Sequence, residues 1–205
     1  MKIKVCGLTT PKEAAYLNKN HVDFAGFVLF FPKSKRNITI TQATEIMKKL
    51  DPSIQKVAVV VSPTTAQAEE ICNAGFDYIQ IHGKLEDDVL SILTIPALKA
   101  FNIKDMNQFH TYKNCPKIKG YVFDAQEPGS GTVFDWNLVS SIPRDDKLFF
   151  LAGGLNPDNV ADAIRALSPD GVDVSSGVEY GKDIVGKDPE RIKTFVANVR
   201  KTTTT

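Results

Sequence analysis

The sequence predicts a single-domain α/β protein that folds as a closed (β/α)8 barrel, the TIM-barrel architecture. Short apolar runs alternate with segments of helical periodicity, and this alternation recurs eight times at a spacing of about 25 residues. No linker or shift in composition divides the 205 residues, a length that suits one such barrel. An open, doubly wound sheet is the alternative, but it usually has fewer strands. We expect the barrel to span residues 1–201 and the terminal threonines 202–205 to form a frayed tail.

The predicted strands are nearly continuous runs of apolar residues rather than alternating ones. This pattern is typical of strands that are buried on both faces, as in parallel sheets. In chain order they are Ile3–Cys6, Phe24–Leu29, Lys56–Val61, Tyr78–Ile81, Ala97–Phe101, Gly120–Phe123, Leu148–Ala152 and Gly171–Val174.

Most of the predicted helices begin where a polar capping residue precedes proline, a pair that supplies the N-cap and the first helical position. These starts are Thr10-Pro11, Ser62-Pro63, Asn156-Pro157 and Asp188-Pro189, and Thr41 is expected to cap a further helix. Weaker helical patterns cover Glu86–Leu93, Met106–Tyr112 and Asn137–Ser141.

Composition excludes several classes of protein. The net charge of +1 argues against a nucleic-acid binder with a basic surface. No apolar run approaches the roughly 18–20 residues of a membrane span, and the first residues are too polar for a signal peptide. Three scattered cysteines indicate free thiols and a cytoplasmic location. The three histidines lack metal-ligand spacing, and dinucleotide and P-loop motifs are missing, so we expect neither metal nor cofactor.

Glycine-rich turns follow the seventh and eighth predicted strands, as Gly153-Gly154 and Ser175-Ser176-Gly177. Glycine lets backbone N–H groups approach a ligand closely, and a following helix N-terminus favours an anion. Consecutive loops at this end of a (β/α)8 barrel commonly bind phosphate. The simpler interpretation is that these glycines only permit tight turns, but the pair of motifs together favours a phosphate site.

Three further residues stand at strand ends, where the active sites of such barrels lie. Cys6 could act as a base if its thiolate were stabilised, or it could be a small buried apolar residue. Asp124 could act as an acid if its surroundings raised its pKa, or it could cap a helix. Arg36 could clamp a carboxylate, or it could be a surface charge. His82 is expected to line the same pocket.

Several motifs resemble the phosphoribosylanthranilate isomerase family of tryptophan biosynthesis. The matching segments are KVCGLTTPKEA, GFVLFFPKSKRNIT, QIHG, GSGTVFDW, LAGGLNPDNV and DVSSGVE. The resemblance as a whole extends from residue 2 to about residue 200, and so covers nearly the whole chain.

The resemblance implies a cofactor-free Amadori rearrangement of N-(5-phospho-β-D-ribosyl)anthranilate to 1-(2-carboxyphenylamino)-1-deoxy-D-ribulose 5-phosphate. It assigns Cys6 as general base, Asp124 as general acid, Arg36 to the anthranilate carboxylate and Asp173 to the site. The phosphate loops would contribute Gly153, Gly154, Ser175, Ser176 and Gly177. The partner is then a small phosphoribosyl substrate, bound by a monomer or homodimer.

Two departures from the family pattern are visible. The family's GGTG loop is replaced by Pro128-Gly129-Ser130-Gly131, and the segment Tyr180–Lys187 is altered. Two other functions remain open: an aminoimidazole ribotide isomerase of histidine biosynthesis, and a sensor that binds a phosphorylated metabolite without turnover. Cys6 in place of an aspartate argues against the first, and the presence of both an acid and a base argues against the second.

Overall fold

The computed structural model describes residues 1–102, 108–124, 144–181 and 184–203. Eight parallel strands form a closed barrel in sequential order, and β1 pairs with β8, so the predicted fold is confirmed. The strands are β1 Lys2–Cys6, β2 Phe24–Val28, β3 Gln55–Val61, β4 Tyr78–His82, β5 Ala97–Asn102, β6 Ile118–Asp124, β7 Leu148–Ala152 and β8 Gly171–Val174. A two-stranded antiparallel ribbon follows β8, with β9 at Glu179–Gly181 and β10 at Ile184–Lys187. The sequence did not predict this ribbon.

Helices connect the strands on the outside of the barrel. Those in the described ranges are α1 Pro11–Lys19, α2 Ile40–Met47, α3 Thr65–Asn73, α4 Asp87–Ile92, α5 Phe109–Lys113, α6 Val160–Leu167 and α7 Pro189–Thr203, with a 3-10 turn at Ser176–Val178. The predicted helix at Asn137–Ser141 and the start of the one at Met106 lie outside the described residues. Helix α7 continues to Thr203, two residues into the expected tail. None of these helices is long and apolar enough to cross a membrane.

Three helices begin at residues other than the predicted ones, namely at Ile40, Thr65 and Val160. Thr39 caps α2 in place of Thr41, since its hydroxyl accepts from Gln42 N while the Gln42 side chain accepts from Thr39 N. Thr64 caps α3 through the same reciprocal capping box with its own N3 glutamine. Helix α6 begins at Val160, three residues after Pro157. The Asn156 side chain nevertheless accepts hydrogen bonds from the N–H groups of Asp158 and Asn159, which precede the helix.

Strand periodicity divides the buried residues into two layers. In β1, Ile3 and Val5 pack outward against the helices, whereas Cys6 belongs to the cluster inside the barrel. Phe24 and Phe150 meet edge to face within this inner cluster, with ring centroids 5.2 Å apart. The bulky rings fill the barrel interior, so the inward-facing residues nearer the strand carboxyl ends are left to line a cavity.

Candidate active site

A cavity of about 200 Å³ opens at the carboxyl ends of the strands. Its walls include the side chains that the sequence singled out, namely Cys6, Arg36, His82, Asp124 and Asp173. The loops after β7 and β8 contribute Gly153, Gly154, Ser175 and Ser176. Of the predicted site residues, Gly177 is the one that does not line this cavity. Gln80 lines it as well and was not predicted.

Cys6 is the last residue of β1 and is buried, with 9% of its surface exposed. Its neighbour across the sheet is Gly26 on β2. A Cβ at Gly26 would lie 2.8 Å from Cys6 Sγ, closer than a carbon and a sulfur can approach. The missing side chain therefore makes the space that the sulfur occupies.

A buried ion pair lies beside this thiol, and the sequence reasoning missed its cation. Lys4 precedes Cys6 by two residues and so faces the same side of β1, and its Nζ lies 2.7 Å from Asp173 Oδ2 on β8. The Lys4 charge is also close enough to the Cys6 sulfur to favour its thiolate. Burial by itself lowers the pKa of Lys4, but the nearby Asp173 and Cys6 raise it by a larger amount. The net change is therefore upward, and Lys4 stays charged. The sequence did contain a signal for this cation, because Lys4 is a charged residue at an inward-facing position of the strand KIKVC.

The electrostatic setting of Cys6 is a balance of opposing effects. Burial raises the pKa of its thiol, Lys4 and Lys187 lower it, Asp173 raises it, and the net change is upward. The Cys6 thiol is therefore mainly neutral at neutral pH. This differs from the simple expectation that a nearby cation makes the thiolate the resting form.

His82 and Gln80 form a neutral polar wall on β4. Burial, with the nearby Lys4 and Lys99 charges, lowers the pKa of His82 to about 4, so its ring is neutral at neutral pH. His82 Nε2 lies 2.8 Å from Gln80 Nε2, which donates to it. Within the described residues, two buried acceptors have no hydrogen-bond partner, Gln80 Oε1 and Asp173 Oδ1. Both residues line the cavity, so a ligand hydroxyl group that reaches these oxygens would satisfy them.

Asp124 is the last residue of β6, where it pairs in register with Asn102 on β5 and Ala152 on β7. Its position at the strand end puts it in the same cavity as Cys6. The residues that follow it, 125–143, include Pro128–Gly131 and Asp135-Trp136, which lie outside the described residues.

Arg36 reaches the cavity from the loop between β2 and α2. Its Nε and Nη2 donate to the two carboxylate oxygens of Glu179, at 2.5 and 3.1 Å. The aliphatic part of the side chain passes over Gly7, where a Cβ would lie 2.5 Å from Arg36 Cδ. Gly7 also has a φ of +83°, a conformation that side chains disfavour. The residue after Cys6 is thus a glycine because the arginine crosses it.

The two glycine-rich loops are held against each other. Gly153 and Gly154 both have positive φ, at +86° and +66°, and a Cβ on Gly154 would meet nothing within 4 Å. A Cβ on Gly177 would lie 1.9 Å from the Leu155 carbonyl, so its absence lets the loops touch. Ser175 Oγ donates to the Cys6 carbonyl at 2.9 Å, which ties the loop after β8 to β1.

Comparison with known proteins agrees with this geometry. A family model described as N-(5'phosphoribosyl)anthranilate (PRA) isomerase matches residues 3–198. The N-(5'-phosphoribosyl)anthranilate isomerase of Streptococcus mutans is 37% identical over 201 residues, which are 98% of this chain and 99% of the relative.

Solved structures give the same result. The phosphoribosyl anthranilate isomerase of Thermotoga maritima matches with a TM-score of 0.86 and 32% identity, covering 98% of this chain and 99% of that chain. Another match is a phosphoribosyl anthranilate isomerase in complex with reduced 1-(o-carboxyphenylamino)-1-deoxyribulose 5-phosphate. Its TM-score is 0.83 at 30% identity, with coverage of 98% and 99%. This chain therefore belongs to the N-(5'-phosphoribosyl)anthranilate isomerase family.

Proposed function

We propose that this protein catalyses the Amadori rearrangement of N-(5-phospho-β-D-ribosyl)anthranilate to 1-(2-carboxyphenylamino)-1-deoxy-D-ribulose 5-phosphate in tryptophan biosynthesis. The observation that carries the proposal is that Cys6 and Asp124 line one cavity. Arg36 and the glycine-rich loops line the same cavity and suit the two anionic groups of this substrate. An acid–base pair between two anion sites matches a substrate that carries a carboxylate at one end and a phosphate at the other.

Binding comes first in this account. The phosphate lies against the backbone of Gly153 and Gly154 and the hydroxyls of Ser175 and Ser176, while Arg36 pairs with the anthranilate carboxylate. Fixing both ends places the reacting carbons between Cys6 and Asp124, which lowers the entropy cost of reaching the transition state. Asp173 Oδ1 and Gln80 Oε1, which lack partners in the described structure, accept hydrogen bonds from the ribose hydroxyls.

Asp124 performs the first proton transfer as the general acid. It donates its proton to the ring oxygen of the furanose as the bond between that oxygen and C1′ breaks. The lone pair of the anthranilate nitrogen forms a double bond to C1′, giving the open-chain Schiff base. The Asp124 carboxylate is left ionised at this point.

Cys6 performs the second transfer as the general base. Its thiolate takes the proton from C2′, the electrons of that C–H bond form a C1′–C2′ double bond, and the nitrogen regains its lone pair. The resulting enolamine tautomerises by losing the C2′ hydroxyl proton and gaining a proton at C1′. The positive charge of Lys4 stabilises the thiolate that the step requires.

A fluorescence assay tests this function directly. The purified protein is mixed with phosphoribosylanthranilate, and the loss of the substrate's fluorescence is followed beside a parallel assay with the histidine-pathway ribotide. We expect turnover of the anthranilate compound. Turnover of the histidine intermediate alone, or binding of phosphoribosylanthranilate without product, would overturn the proposal.

A further inference from the structure

The β9–β10 ribbon brings two buried charges to the edge of the cavity that the proposed chemistry has not used. Glu179 begins β9 and Lys187 ends β10, and their exposed fractions are 4% and 1%. Lys187 Nζ lies 3.1 Å from Glu179 Oε1 and donates to Ser175 O at 3.1 Å. The ribbon thus contacts the loop after β8.

The ribbon is also fastened to the first βα unit. Glu13 on α1 accepts the backbone N–H of Lys187 with one oxygen, at 2.7 Å. Its other oxygen accepts the N–H groups of Thr9 and Thr10, at 2.6 and 2.8 Å. Glu13 is itself buried, so the end of β10 is fixed relative to the loop that follows Cys6.

Glu179 in turn binds the side edge of the Arg36 guanidinium, which is formed by Nε and Nη2. It takes up Nε–H and one Nη2–H, whereas the terminal edge formed by Nη1 and the other Nη2–H is not used by this carboxylate. Arginine is a long side chain with several rotamers, and a bidentate carboxylate removes most of that freedom. With the guanidinium held from the side and Gly7 beneath its stem, its terminal edge has a defined direction.

The charge around Glu179 is arranged so that Arg36 is held without losing its attraction for an anion. Three cations surround this one carboxylate, because Lys35 Nζ lies 3.0 Å from Oε2 in addition to Arg36 and Lys187. Burial raises the pKa of Glu179, but hydrogen bonds from Arg36, Lys35 and Lys187, with the Lys187 charge, lower it to about 2. Glu179 is therefore ionised throughout the working pH range. The three positive charges around it exceed its single negative charge.

We propose that Glu179, held in place by Lys187, is a positioning residue that presents the terminal edge of Arg36 to the carboxylate of the substrate. This inference rests on the proposed function, which assigns that carboxylate to Arg36. It gives the ribbon a role in selecting substrates that carry a carboxylate on the ring.

The test compares two ligands that differ only in that carboxylate. One is reduced 1-(o-carboxyphenylamino)-1-deoxyribulose 5-phosphate, and the other is the same compound without the ring carboxyl group. Calorimetry gives the dissociation constants, and their ratio isolates the contribution of the carboxylate, because changes at the phosphate affect both ligands alike. In the wild type we expect the ratio to be about 10–100, the range for a charge-assisted bidentate contact.

Glu179→Gln should lower this ratio by about tenfold, since a neutral amide holds the guanidinium through one oxygen only. Arg36→Met should bring the ratio near unity, and adding Glu179→Gln to it should change the ratio no further. The double variant Glu179→Gln/Lys187→Met removes the buried pair together, so it gives a folded protein to test if the single variant is too unstable. Glu190→Gln is the control, because it breaks an exposed pair with Lys193 at the surface of α7.

An unchanged ratio in folded Glu179 variants would overturn the inference, whether both ligands weaken equally or neither does. Failure of the proposed function looks different, because the wild type itself would then bind both ligands equally or bind neither. The wild-type ratio and the variant ratio thus separate the two failures.

Discussion

At the scale of single residues, the geometry around Cys6 depends on an absent side chain. Gly26 neither forms a turn nor has a positive φ; it is a strand residue whose Cβ would collide with the Cys6 sulfur. Sequence reasoning identified Cys6 from its position at a strand end, but the need for Gly26 arises only when β1 and β2 are paired in register.

Gly26→Ala should therefore displace the thiol without unfolding the barrel. We expect kcat to fall by about one to two orders of magnitude, since displacements near 1 Å have effects of that size. Steady-state kinetics measure the change. Gly181→Ala is the matched control, because a Cβ at Gly181 meets nothing within 4 Å. Equal kcat in the Gly26 variant and wild type would contradict this packing argument.

The pH dependence follows from the buried thiol. Burial raises the pKa of Cys6 against the opposing effect of Lys4 and Lys187, so the thiolate fraction should rise with pH through neutrality. Lys4→Met removes a cation that favours the thiolate, which raises the thiol pKa further.

The limb of the kcat–pH profile that reports Cys6 should accordingly move to higher pH in Lys4→Met, with a lower kcat at neutral pH. Lys2 lies on the same strand as Lys4 but pairs with Asp23 at the surface, so Lys2→Met should leave the profile in place. A Cys6 limb that Lys4→Met does not move would contradict the assignment of Cys6 as base.

At the scale of elements, the barrel repeats one device at the end opposite the cavity. Asp23, Asp77 and Asp170 each precede a strand, and each carboxylate accepts a backbone N–H from the strand before it. The acceptor distances are 2.9 Å to Ile3 N, 2.7 Å to Lys56 N and 2.9 Å to Phe149 N. The N–H of each aspartate donates back to the carbonyl of the same residue, so every contact is reciprocal. These loops fasten neighbouring strands and contribute nothing to the cavity.

Asp170→Ala should thus lower the free energy of unfolding by about 1–3 kcal/mol, the usual cost of leaving a backbone donor unpaired. Because Asp170 is remote from the catalytic end, kcat and KM should stay within about twofold of the wild type. Urea unfolding gives the stability, and Asp162→Ala, at an exposed i,i+3 pair on α6, should change it by less than about 0.5 kcal/mol. A loss of kcat well beyond twofold in folded Asp170→Ala would show that the two ends of the barrel are not separate in function.

The strands, which depend on burial alone, were predicted correctly. The helix starts were predicted less well, because several side chains compete to cap the first turn. The eight strands were found because residues such as Val57–Val60 are apolar on both faces. The start of α3 was wrong because Ser62-Pro63 has the sequence of a helix start, yet Ser62 adopts a φ of +45° and its hydroxyl accepts from Lys84 N. Thr64 with Gln67 then forms the cap. A proline pair and a capping box close together give no basis in sequence for choosing between them.

At the scale of the whole molecule, closing the barrel brings distant residues into contact. Lys4 meets Asp173 across 169 positions, Arg36 meets Glu179 across 143, and the Lys187 backbone meets Glu13 across 174. The strand-end rule for (β/α)8 barrels was enough to bring Cys6 and Asp124 to one end. It could not reveal Lys4, Glu179 or Lys187, because their significance lies in partners that only the closed structure supplies.

The closed barrel brings Cys6 and Asp124 into one cavity, as the proposed acid–base mechanism requires, and Cys6→Ala tests that proposal most directly. We expect kcat for phosphoribosylanthranilate to fall by about 10²–10⁴-fold, the usual contribution of a general base. The dissociation constant of reduced 1-(o-carboxyphenylamino)-1-deoxyribulose 5-phosphate should stay within about threefold of the wild type, and Cys72→Ala, at a thiol on α3, should be fully active. A Cys6→Ala protein that binds this ligand and turns over substrate at the wild-type rate would contradict the account.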